Sequence, residues 1–150
     1  MRTLACALLG ALTFVPAFAA EPVQVPLDAA HLAPLPRHPV EMKIHERALH
    51  CEGVALVDLL RAANAMPTTP LRGAHLARVA VVTARDGYRV VFSLGELDAS
   101  LGGRAVYLVD RCDGKAIDDK EGPLRLLVPD DTRPARAARQ VQSIHVEDVP

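Results

Sequence analysis

The spacing of apolar residues changes several times along this chain, and each change predicts an element. Val40, Met42 and Ile44 alternate with Glu41, Lys43 and His45, a period of two that predicts a strand buried on one face. Over residues 53 to 65, Val54, Val57, Leu59, Leu60 and Ala63 recur at helical spacing and stop at Asn64, ahead of Pro67. That predicts a helix with one apolar face. The runs "ARVAVVTA" and "YRVVF" then flank Asp86-Gly87, the signature of a β-hairpin. "SLGE" from Ser93 to Glu96 has capping-box spacing and predicts a short helical turn over 94 to 99.

After Gly102-Gly103 the pattern is that of strands. "RAVYLVD" reads as one, Asp113-Gly114 as a turn, "LRLLV" between Pro123 and Pro129 as another, and "VQSIHVEDV" as the last. In the last strand Val141, Ser143 and His145 are expected on one face, with Gln142, Ile144 and Val146 on the other. Strand, helix, hairpin, short helix and further strands together predict a single mixed α+β domain, residues 21 to 150.

The two ends of the pattern differ from the middle. Residues 1 to 20, "MRTLACALLGALTFVPAFAA", place one arginine before an apolar run, and small residues end it. This reads as a secretory signal peptide cleaved after Ala19 or Ala20, and so as a periplasmic or secreted protein with no membrane span once the leader is gone. Residues 21 to 39 carry five of the twelve prolines and are expected to form an extended arm, with at most a short strand at "VQVPL".

Charge and composition narrow the function classes. There are 17 Lys and Arg against 18 Asp and Glu, and Arg2 of the leader is one of the basic residues. A chain without net positive charge, whose aromatics beyond the leader are Tyr88, Phe92 and Tyr107, is not built to bind nucleic acid. Two cysteines follow the leader, Cys51 and Cys112. In an oxidising compartment they are either a disulfide or two separate thiols. His45, His50 and Cys51 lie close in sequence without the spacing of a zinc site. No Gly-x-Ser-x-Gly elbow or phosphate-binding glycine loop occurs.

Five segments in order, "GVALVDLLRAANA", "DGYRVVFSLGEL", "VDRCDGKAI", "GPLRLLVP" and "RAARQVQSIHV", give the chain a recognisable profile. Across residues 53 to 147 it resembles the sulfite-oxidase-type molybdopterin-binding domain of oxidoreductases. The resemblance implies that family's mixed β-sheet fold, and a molybdenum ion held by a pterin dithiolene and a cysteine thiolate. In the family that cysteine stands well upstream of the helix, where this chain has none after its leader. The family's ligand is thus missing from its expected place, and Cys51 is a candidate only as an atypical metal ligand.

The resemblance also places Arg139 where the family has a basic residue near the pterin phosphate. Arg133 and Arg136 precede it at steps of three and form, with it, a candidate basic edge for cofactor binding. Arg125 is implied to be a structural arginine paired with Asp118, Asp119 or Glu121. Family enzymes acquire the cofactor in the cytoplasm and travel folded by the twin-arginine route, whereas Arg2-Thr3 marks a leader of the general route. The expectation is a domain without cofactor, acting as a periplasmic binding or accessory module with a small anion or a periplasmic protein as partner. The alternative is a molybdopterin-dependent oxidoreductase with Cys51 as an atypical ligand. Catalytic residues are not identified.

Overall fold

The computed structural model describes residues 21 to 149; the expected signal peptide lies outside the described residues. Two antiparallel sheets and a few short helices make one mixed domain, in agreement with the α+β expectation. No helix among the described residues is long and apolar enough to cross a membrane.

The first sheet is built on the predicted hairpin. Strands β4 (Arg78–Ala84) and β5 (Arg89–Ser93) pair across the turn, where Gly87 has φ of 86°, a conformation glycine adopts without a Cβ clash. β9 (Val141–Asp148) lies along the other edge of β4, and β1 (Val23–Val25) completes the order β1-β9-β4-β5. The short strand expected at "VQVPL" is thus β1. The rest of the proline-rich arm is more ordered than expected. Asp28 caps a helical turn, α1 (Ala29–Leu32), by accepting from the Ala30 and His31 amides at 3.0 and 3.2 Å.

The strict alternation expected for the last strand is broken. Thr83 opposes Ser143 but Ala84 opposes Val141, so Gln142 is an extra residue in the ladder. This bulge turns Val141 inward alongside Ile144 and Val146, all three at 5% exposure or less.

The second sheet has five strands. β2 (Arg37–Ile44) and β3 (Arg47–Ala55) form a hairpin around His45-Glu46, with β2 beginning earlier than expected and including Pro39 on the sheet's edge. β6 (Tyr107–Cys112) pairs with β3 on one side. On its other side it meets β7 (Lys115–Ala116), across the Asp113-Gly114 turn, and β8 (Arg125–Leu127). The "LRLLV" strand is therefore real but only three residues long.

The helix expected over 53 to 65 begins later, as α2 (Leu56–Ala62). Its first expected turn is the end of β3 instead. Gly53 explains this local preference: a Cβ there would collide with the Leu108 carbonyl oxygen and lie 2.5 Å from the Val109 Cα. Glycine lets β3 approach β6 where Asp110 bulges out of register between Glu52-Arg111 and Gly53-Val109.

The main core fills the space between the sheets. Val54, Leu108 and Leu126 meet Ala80, Val82, Phe92, Ile144 and Val146, with Leu56, Leu59 and Leu60 of α2 closing one side. A second, smaller cluster lies on the opposite face of the five-stranded sheet. It consists of Val40, Met42, Leu49, Cys51, Val109 and Leu127, with Ile44, Tyr107, Cys112, Ile117 and Ala137 packed around it. The predicted capping box is formed at α3 (Leu94–Leu97): the Ser93 Oγ accepts from the Glu96 amide at 3.0 Å, and Glu96 accepts from the Ser93 amide at 3.1 Å.

Candidate functional site: an arginine-lined groove

Cys51 and Cys112 face each other across β3 and β6, with Cα atoms 3.9 Å apart, and are joined by a disulfide. The pairing register explains why: residues 61 apart in sequence become direct cross-strand partners. This corrects the reading of Cys51 as a metal ligand. A metal-binding cysteine contributes a thiolate, and the sulfur of Cys51 is committed to Cys112 and buried at 3% exposure. The residues present do not fit a cysteine-ligated molybdenum. Among the described residues no group of three or more His, Cys, Asp or Glu is arranged to hold a metal ion. His50 is exposed on β3 beside Glu41, at 3.2 Å, and His45 sits in the β2–β3 turn.

The expected basic edge is also divided. A helix of three residues per turn would stack Arg133, Arg136 and Arg139, but the 3-10 turn covers only Pro134–Arg136. Beyond it Ala137 leaves helical geometry and Ala138 is buried, so Arg136 and Arg139 engage different acids. Arg133 is exposed at the turn's N-terminal cap.

Arg136 is a structural residue. Its Nε and Nη2 donate to the two Asp131 oxygens at 2.8 and 2.7 Å, its Nη1 donates to Glu96 at 3.0 Å, and its guanidinium lies 4.6 Å from the Phe92 ring centre. The forked pairing raises the Arg136 pKa and holds the Asp131 carboxyl below its ordinary value. Arg104 joins the same acids at 3.2 and 3.5 Å. This network fastens α3 to the 129-to-137 segment and exposes no free charge for a ligand.

Arg139 belongs to another cluster. Its Nη1 donates to one oxygen of Glu121 at 3.0 Å, while Arg125 Nη1 donates to the other oxygen at 2.5 Å. Arg125 is the buried partner, at 9% exposure, and its Nε has no hydrogen-bond acceptor. Burial lowers the Arg125 pKa from its ordinary value, and the nearby charges of Arg139 and Arg47 act the same way, while Glu121 opposes them. The implied acid partner of Arg125 is thus Glu121, and Asp118 instead accepts the amides of Lys120 and Glu121.

Arg125, Arg139 and Arg47 line an open groove of about 1280 Å³ on the outer side of the second cluster. Its walls are the β2–β3 turn, the β6–β7 hairpin, the 117-to-121 segment and the end of the 3-10 turn. Arg47 reaches Asp113 at 3.3 Å, and Cys112 places the disulfide at the groove's edge. Arg47, Lys115 and Lys120 were not foreseen as site residues. Arg47 was hidden because "RALHCEG" lacks a dense apolar run, although Leu49 and Cys51 alternate as buried positions with exposed His50 and Glu52. No protein-family model matches the chain, and comparison with curated proteins gives no match.

Proposed function

We propose that this chain is an exported binding or accessory module on a sulfite-oxidase-type scaffold, working in the periplasm or outside the cell without a molybdenum cofactor. The observation that carries the reading is the Cys51–Cys112 disulfide. It consumes both cysteines of the mature chain, and with them the thiolate that cysteine ligation of molybdenum needs. A disulfide is also the state expected of a domain in an oxidising compartment, in keeping with the leader-like first twenty residues.

The groove supports the binding half of the proposal. Three guanidiniums converge on a concave surface, and Arg125 is held there largely out of water. Keeping a cation buried costs free energy that the fold must offset. Fold stability alone is served as well by apolar residues, so an arginine cluster in a groove fits recognition of an anionic group. The family's fold, its cofactor and its redox chemistry enter only through the sequence resemblance.

The test is the molybdenum and pterin content of protein purified from its native compartment, by elemental analysis and fluorescence of the oxidised pterin. The proposal predicts neither. Near-stoichiometric molybdenum with pterin would overturn it in favour of a molybdopterin-dependent oxidoreductase whose cysteines are reduced when loaded.

A further inference from the structure

The groove has two chemically distinct parts. Ile44, Leu49, Ile117 and Ala137 form an apolar floor continuous with the second hydrophobic cluster. Around it stand five cations, Arg47, Lys115, Lys120, Arg125 and Arg139, and four carboxylates, Glu46, Asp113, Asp118 and Glu121. Those carboxylates are already engaged. Glu46 meets Lys43, which lies outside the lining, at 3.3 Å, and Asp118 accepts two backbone amides of its own turn. Asp113 pairs with Arg47, and Glu121 is shared by Arg125 and Arg139. The lining carries five cations against four carboxylates, so positive charge is in excess by one.

Resting on the binding-module reading, we propose that the groove takes an organic oxyanion with an apolar body. Its carboxylate, sulfate or phosphate head lies among Arg47, Arg125 and Arg139, and its hydrocarbon part lies on Ile44, Leu49, Ile117 and Ala137. The planar guanidinium forks suit a head with two or more oxygens. An inorganic anion would leave the floor in water, and a neutral hydrocarbon would strip water from the cations without replacing it. Only a ligand with both parts complements both surfaces.

The experiment is calorimetric titration of the mature protein with acetate, octanoate, sodium sulfate, octyl sulfate, octyl phosphate and octanol, the alkyl compounds below their micelle concentrations. Each methylene buried raises affinity about fourfold, so two on the floor give a gain of more than about tenfold. Octanoate is expected to bind at least about tenfold tighter than acetate, and octyl sulfate than sulfate, with octanol weakest among the alkyl probes. The ranking of the three eight-carbon anions identifies the preferred head. The Arg47→Ala/Arg139→Ala double variant removes the two exposed arginines, whose side chains are 75% and 62% accessible, and is expected to fold while losing at least about tenfold in octyl-anion affinity. Ile117→Asn should weaken octanoate but not acetate.

Equal affinity for acetate and octanoate would overturn the apolar half, and undiminished binding by the double arginine variant would overturn the placement of the head. Failure of every anion to bind would overturn this ligand class. It would leave the cofactor-free reading standing, because that reading fails only on bound molybdenum and pterin.

Discussion

Replacing both Cys51 and Cys112 by alanine isolates what the bridge does for the fold. The cysteines are 61 residues apart, and the closed loop contains β3 after Cys51, α2, β4, β5, α3 and β6. Releasing a loop of that length returns chain entropy to the unfolded state, worth about 4 kcal/mol at 25 °C in the chain-entropy treatment. Domains of this size are stable by about 5–15 kcal/mol, so the loss is a large part of the total. With a urea slope of about 1.5 kcal/mol per molar, the midpoint should fall by about 2–3 M. Equilibrium urea unfolding followed by circular dichroism measures this. The wild type in reductant should approach the same midpoint. A loss below about 1 kcal/mol at an unchanged slope would refute the reasoning, because it would mean that the bridge does not constrain the unfolded chain.

Other perturbations separate packing from charge. Gly53→Ala drives a Cβ into the β6 backbone at Leu108 and Val109, and should cost more than about 3 kcal/mol or abolish folding, read by soluble yield and thermal melting. Glu121→Gln leaves buried Arg125 without its carboxylate and should cost about 3 kcal/mol; Glu121→Leu combined with Arg125→Met should recover most of that in the same melts. Hydrogen bonding from Arg136 holds the Asp131 carboxyl below its ordinary value. Its stabilisation is therefore fully present above the unfolded pKa of about 4 and is lost as pH falls through the lower folded value. Asp131→Asn should lose about 2 kcal/mol at pH 7 and show a flatter decline below pH 4, measured by urea unfolding across pH.

The local signals that were legible are the ones written in consecutive residues. Asp86-Gly87 marks a two-strand hairpin because glycine accepts the positive φ found there, and the Ser93–Glu96 box is formed because both partners sit within one turn. Strand β3 was obscured by its turn: His45 takes φ of 53° without the Gly or Asn that usually signals a hairpin. The helical spacing after Gly53 extended the expected helix into that strand, since Val54 satisfies either period. Leu56 starts α2 only once the chain has cleared the close contact with β6.

The candidate site was less legible because it depends on tertiary register. Nothing within "HERALHC" shows that Cys51 will stand opposite Cys112, or that Arg47 will face the same groove as Arg139. The three-residue recurrence of Arg133, Arg136 and Arg139 suggested one edge. The turn is too short to maintain it, and Asp131 and Glu96 hold Arg136 elsewhere. For Arg125 the family resemblance suggested an acid such as Asp118, Asp119 or Glu121, and Glu121, in the turn just before the strand, is the partner.

The state of Cys51 decides whether a thiolate is available, and it can be read directly. Protein from the native compartment would be unfolded in denaturant and alkylated with iodoacetamide, with and without prior reduction, and its intact mass measured. For the chain cleaved after Ala19 or Ala20, which no longer carries Cys6, the account predicts no added label without reductant and two labels after it. One or two labels without reduction would contradict the disulfide and return Cys51 as a possible metal ligand.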